Sequence, residues 1–178
     1  MGHFDETICD CCVCPMQCVL KQLIREEVVQ IETRTDSVNL QITEVKNFIV
    51  SGIDDGTGEV VHFPICNISA VFPRETFSLE LKPIKKSTKG ECVCCEDPIT
   101  NLANSLKGET VFIDYIGGGT PAIIRDVGEG IVIGEDTTGS GLIVAITSCA
   151  ITEIREGSVK ENDGFVNDTS DEKKRYRE

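Results

Sequence analysis

Tryptophan is absent from this 178-residue chain, and aromatic residues supply only 5% of it. Any core must therefore be aliphatic, built from Val, Ile and Leu within an ordinary hydrophobic content of 40%. Histidine is nearly missing as well: His3 lies in the N-terminal segment and His62 in an expected strand. Catalysis needs a positioned acid, base or nucleophile. The carboxylates fall in expected turns (Asp54, Asp55, Asp136) and on charged faces (Glu26, Glu27), where solubility explains them. A pairing of His62 with a cysteine is the nucleophilic alternative, against a strand histidine facing solvent or making one structural hydrogen bond. No catalytic constellation is legible, so an enzyme is not expected. Nor is a cofactor. Gly117-Gly118-Gly119 and Thr138-Gly139-Ser140-Gly141 lack the flanks of a phosphate-binding loop and read as hairpin turns.

Basic residues are also scarce. Lys and Arg number 17 against 30 Asp and Glu, a formal net charge of −13. Binding to nucleic acid requires cations that release phosphate counterions, so no such partner is expected. Lys82, Lys85, Lys86 and Lys89 form a local basic cluster that reads as a solvated linker. No stretch reaches the roughly 18 apolar residues of a membrane span. Residues Met1 to Thr7 have neither the basic nor the apolar region of a secretory signal. Synthesis in a reducing cytoplasm is therefore expected. Asn67-Ile68-Ser69 and Asn167-Asp168-Thr169 match the glycosylation acceptor, but without secretion they read as accidental.

What the chain does have is ten cysteines and an internal duplication. One cluster is Cys9, Cys11, Cys12, Cys14 and Cys18; a second is Cys92, Cys94 and Cys95. Each opens one copy of the repeat. Cys11-Cys12 and Pro15-Met16 match Cys94-Cys95 and Pro98-Ile99, and Leu23, Glu27, Val29 and Ile31 match Leu106, Glu109, Val111 and Ile113. Cys66, Ile68 and Val71 match Cys149, Ile151 and Ile154, so the offset is about 82 to 83 residues throughout. Each copy is roughly 65 residues, a size at which a core usually needs staples, metal or self-association.

Hydrophobic periodicity gives the elements. In the first copy a helix is expected over about 16–26, with Pro15 at its start. Strands follow over 27–34, 38–42, 48–53, 60–65 and 68–72, with the Asp54–Gly58 turn between the third and fourth. In the second, Asp97 should cap a helix running to about Lys107. Strands follow near 109–116, 120–127, 130–135, 141–147 and 149–155. A helix followed by five short strands is the plan of a small Sm/SH3-like barrel, whose closure removes exposed edges. The expected architecture is mainly β: two tandem small barrels, each preceded by a Cys-rich segment and a short α-helix. Its parts are a Cys-rich lead (1–15), a first barrel (16–72), a linker carrying the second cluster (73–96), a second barrel (97–157) and a disordered charged tail (158–178). Within the linker, Phe77-Ser78-Leu79-Glu80-Leu81 alternates well enough for an extra strand.

Three stretches carry a resemblance: Leu106-Lys107-Gly108-Glu109-Thr110-Val111, Ile124 through Ile133, and Ala150-Ile151-Thr152-Glu153-Ile154. They resemble a family of small, uncharacterised barrel domains of spore-forming Bacillus-type bacteria, several associated with the spore coat; residues 16–72 resemble it more loosely. The cysteine-rich leads are similar to those of spore coat, exosporium and appendage proteins. The resemblance implies assembly into disulfide-cross-linked layers or fibres, with a final place at the spore surface and other spore-surface proteins as further partners. A distant similarity to Sm-like RNA binders is also present. The Asp and Asn of their base-binding loop are not recognisable near Lys46-Asn47 or Gly128-Glu129.

Two chemistries suit the thiol clusters. Adjacent cysteines such as Cys11-Cys12 and Cys94-Cys95 rarely bridge each other, because disulfide geometry disfavours the small ring. Each can bridge outward, so Cys9, Cys11, Cys12, Cys14, Cys18, Cys92, Cys94 and Cys95 are the expected interchain links of a head-to-tail homopolymer. The alternative is a soft metal, zinc or copper, held by the same thiolates. Cys66 and Cys149, at equivalent positions, are expected in the core, since free cysteine packs as a small hydrophobe. A third reading is a small-barrel adaptor for protein or RNA.

Overall fold

The computed structural model describes residues 12–24, 28–73, 78–84, 96–139 and 141–156. The first copy runs α1 (Val13–Gln22), β1 (Val29–Thr33), β2 (Ser37–Lys46), β3 (Ile49–Asp54), β4 (Val60–Pro64) and β5 (Ile68–Pro73). The second repeats that order as α2 (Asp97–Ser105), β6 (Thr110–Tyr115), β7 (Gly118–Gly128), β8 (Ile131–Asp136), β9 (Ile143–Thr147) and β10 (Ile151–Glu156). Every strand expected in either copy is present. A single 3-10 turn precedes the last strand of each: Ile65–Asn67 and Ser148–Ala150.

All ten strands belong to one antiparallel sheet, ordered β10-β6-β7-β8-β9-β5-β1-β2-β3-β4. The sheet is not closed. Within each copy the fifth strand pairs with the first, and the order then runs to the fourth. The copies meet where β5 pairs β9, with Ala70 opposite Ile146 and Val71 opposite Ala145. Exposed edges are thus reduced by joining copies rather than by closing each one. Both halves bend at matching places. Irregularities in register fall at Ile42/Glu44 in β2 and at Ile124/Asp126 in β7, and bulges of this kind sharpen a strand's curvature. Gly52 and Gly134 mark the same position in β3 and β8. A Cβ on Gly52 would overlap Gln41 and Leu40, and one on Gly134 would stand 2.9 Å from the Ala122 Cβ, so only glycine allows the strands this close approach.

Helix α1 starts at Val13, earlier than expected. Its first described hydrogen bond runs from the Met16 N–H to the Cys12 carbonyl at 3.0 Å. Pro15 therefore falls among first-turn residues that have no donor to lose, and it does not fix which of them comes first. Asp97 is likewise inside α2 rather than capping it, with Glu96 at the cap position. The apolar stripe of α1 (Met16, Val19, Leu20, Leu23) packs on Val29, Ile31, Leu40, Ile42 and Val50. That core also takes in Ile131, Ile133 and Ala145 from the second copy. A second core gathers around Ala103, Val111, Ile113, Ile124, Val132 and Ile146, and it includes Ala70 from the first copy. The joint between copies is thus part of both cores. The expected extra strand is not formed: residues 78–84 carry no regular structure. Leu79 and Leu81 pack against the first core instead. The Gln22 amide clamps the Glu80 backbone, accepting from its N–H at 2.8 Å and donating to its carbonyl at 2.9 Å. A side chain has taken the place of a strand partner.

Candidate cross-linking and assembly site

The described cysteines cluster where α1 meets the joint. Cys12, at the cap position of α1, is bonded to Cys149 in the 3-10 turn Ser148–Ala150, 137 residues away, with Cα atoms 6.1 Å apart. That separation lies in the ordinary range for a disulfide. The Cys149 N–H also donates to the Cys12 sulfur at 3.2 Å. Cys12 is buried and Cys149 exposed. The bridge therefore spans the joint, tying the helix of the first copy to the last turn of the second. Cys14 is also in a disulfide. Cys18 is a free, half-buried thiol, and Cys66 a free, exposed one in the turn Ile65–Asn67.

These positions differ from the expected ones. Cys12, taken as an interchain link, and Cys149, taken as core, are joined to each other within the chain. Cys66, also taken as core, is exposed, because the 3-10 turn lifts its side chain away from the strands while Ile65 is buried beneath. Cys9, Cys11, Cys92, Cys94 and Cys95 lie outside the described residues, as do the charged tail and Lys85, Lys86 and Lys89.

A cavity of about 140 Å³ opens beside the bridge, lined in part by Cys12, Cys66, Cys149, Arg34 and Ile116. The Cys12 and Cys149 sulfurs and a carboxylate oxygen of buried Glu96 all lie within 4.8 Å of one another. Across the joint, the Tyr115 hydroxyl donates to Glu32 at 2.7 Å. Burial first, and then this bond to an anionic acceptor, hold the Tyr115 pKa far above its ordinary value, so the phenol stays protonated. His62 bonds the Ser51 hydroxyl through Nδ1 at 2.8 Å on an exposed strand face. Among the described residues no cysteine is hydrogen-bonded to it.

The two ends of the sheet are the other notable surface. Among the described residues, β4 pairs only with β3 and β10 only with β6. By the repeat, β4 is the counterpart of β9, and β10 the counterpart of β5. The partners that join the copies therefore recur, each once, as free edges. Their exposure differs accordingly. Ile131 is 1% exposed at the joint and its counterpart Ile49 is 42% exposed; Val60, counterpart of half-buried Ile143, is 65% exposed. A free edge is normally guarded by charge, proline or irregularity. Strand β4 carries no formal charge and has only Pro64 at its end. Strand β10 carries Glu153, Arg155 and Glu156. Arg155, still exposed, lies over β6, paired with Asp114 and 4.5 Å from the Phe112 ring centroid.

Comparison with known proteins finds no family model, no curated protein and no solved structure that matches the chain.

Proposed function

We propose that this protein is a self-assembling structural subunit, joined edge to edge into a homopolymer and hardened by disulfides. The observation that carries the reading is the pair of complementary open edges: the chain already shows, at β5·β9, how such edges bind. Each half, with its helix, five strands in the same order and largely its own core, is read as one small barrel-type module of the Sm/SH3 kind. The chain is then two tandem units of a longer series. Repeating the relation between the halves makes a head-to-tail contact, which yields a ring if the rotation closes and a helical fibre if it does not. Placement at the surface of a bacterial spore, as fibre or layer, rests on the sequence resemblance alone. The test is sedimentation velocity over a range of concentrations, with electron microscopy of the heaviest fraction. Self-association into rings or fibres, weakened by Val60→Lys on β4, supports the reading; a monomer at every concentration overturns it.

A second reading has its own observation in the triad of Cys12, Cys149 and Glu96. With the bridge reduced, two thiolates and a carboxylate would suit a divalent ion such as zinc. Disulfide and metal exclude each other there. Protein purified without oxygen should then carry near-stoichiometric metal and lose compactness on chelation. Metal-free protein of unchanged compactness would remove this reading.

A further inference from the structure

The cavity beside the Cys12–Cys149 bridge is lined by three cysteines, two bonded to each other and one free. Its walls include the start of α1 (Cys12, Val13), the turn Ile65–Asn67 (Ile65, Cys66) and the turn Ser148–Ala150 (Cys149, Ala150). Antiparallel pairing explains the meeting. Cys66 stands just before β5 and Cys149 just after β9, so the pairing of Ala70 with Ile146 sets both turns at the same end of the joint. Helix α1 packs on the turn of its own copy, yet Cys12 is bonded to the turn of the other. We infer that Cys12 serves two turn cysteines: the Cys66 thiol displaces Cys149 from the bridge, and the cavity is a site of thiol–disulfide exchange.

The two turns are equivalent. Each is a 3-10 turn with its cysteine in the middle, leading into the last strand of its copy. Cys66 thus has the same local setting as the cysteine that Cys12 already holds. Its thiol donates to Asn67 Oδ1 at 3.9 Å, a weak bond that costs little to give up, because S–H is a poor donor. The open volume of about 140 Å³ gives that side chain room to turn from Asn67 towards the bridge. Arg34 lines the cavity as well, setting a cation beside sulfurs that share a negative charge while they exchange. Every group in this inference belongs to one chain, so it stands apart from the self-assembly reading.

The exchange needs no oxidant. Cys66, as its thiolate, attacks the Cys12 sulfur; a bond forms between Cys66 and Cys12 while that between Cys12 and Cys149 breaks. The electron pair leaves on Cys149, which takes up the proton that Cys66 lost. One disulfide and one thiol enter, and one disulfide and one thiol remain. The consequence is positional. The new bridge ties the start of α1 to a turn of its own copy, and the covalent tie across the joint is released. The free thiol moves from Cys66 to Cys149, which is also exposed.

The test uses the full chain, purified in air without reductant and held at mildly alkaline pH, where thiolate is plentiful. Samples taken over time are quenched in acid, alkylated with a maleimide in denaturant and digested with trypsin without reduction. Peptide 1–21 carries Cys12, 47–74 carries Cys66 and 126–155 carries Cys149. At the outset 126–155 should be joined to 1–21. With time 47–74 should appear joined to 1–21, with fragmentation placing the bond at Cys12, and alkylated 126–155 should rise in equal amount. The rate should not change with protein concentration, because the exchange lies within one chain. Cys66→Ser should abolish the release of Cys149 while its circular dichroism matches the parent's, which assigns the loss to the thiol rather than to folding. The inference is overturned if Cys66 stays fully alkylated while 126–155 stays joined to 1–21. It is equally overturned if Cys66 is found on a sulfur other than that of Cys12, or if Cys66→Ser releases Cys149 as fast as the parent does.

Discussion

At the inner joint, Ala70 of β5 and Ala145 of β9 are fully buried; at the outer ends, their counterparts Glu153 and His62 stand exposed. The strands, their turns and their pairing order are the same in both places. What differs is the side-chain chemistry at a few positions. The inner joint lends residues to both cores and is spanned by the Cys12–Cys149 disulfide. The outer edges carry more polar side chains beside aliphatic surface, and under the proposed assembly these are the surfaces that would join. One scaffold thus supplies a fixed contact and, under that proposal, a conditional one.

The largest expected effect comes from making the inner joint resemble the outer edge. Ala145→Glu puts a carboxylate into a fully buried site whose strand partners are Val71 and Ile133, and should cost more than about 4 kcal/mol in urea unfolding. The matching change at the edge, His62→Glu, should leave unfolding within about 0.5 kcal/mol of the parent. It should lower self-association in sedimentation by setting a third carboxylate near Glu153 and Glu156 of the next chain. Equal effects on folding at both positions would erase the distinction.

Next in size is the staple. Cys149→Ser opens a bridge that spans 137 residues and should lower stability by about 2–4 kcal/mol in denaturant. Cys66→Ser, at the equivalent turn, should not change the unfolding midpoint of the monomer at all.

The comparison was only partly legible in the sequence. Strand positions were, because Val29 and Ile31 or Val111 and Ile113 alternate cleanly and the repeat doubles every signal. The helix starts were not, since Pro15 and Pro98 suit any first-turn position. Alternation at Phe77–Leu81 suggested a strand, but periodicity cannot show that Gln22 would occupy the Glu80 backbone. The cysteines were the hardest. Their clustering shows that thiols matter, whereas pairing depends on which turns and helix ends meet across the joint. Cys12 and Cys149 are brought together by β5·β9 pairing, a contact that no local pattern encodes.

Smaller effects probe the inner joint further. Tyr115→Phe removes the hydroxyl bonded to Glu32 of the other copy and should cost about 1 kcal/mol, read as a shift in denaturant midpoint. The least change is expected at the exposed pair of Lys107 and Asp126, 2.6 Å apart. The Lys107 hydrogen bond is the main cause holding the Asp126 pKa below its ordinary value. A lowered carboxylate pKa adds stability above the ordinary carboxylate range, and that stability is lost as pH falls through the folded value. Lys107→Met should therefore remove less than about 1 kcal/mol at neutral pH, and the difference between variant and parent should vanish in acid.

The most direct measurement is hydrogen exchange by mass spectrometry on the same protein, dilute and reduced as against concentrated and assembled. New protection confined to β4 (Val60–Pro64) and β10 (Ile151–Glu156), with β5 and β9 protected in both states, is the result predicted for edges that join as the inner strands do. Protection that appears elsewhere while both edges continue to exchange freely would contradict it.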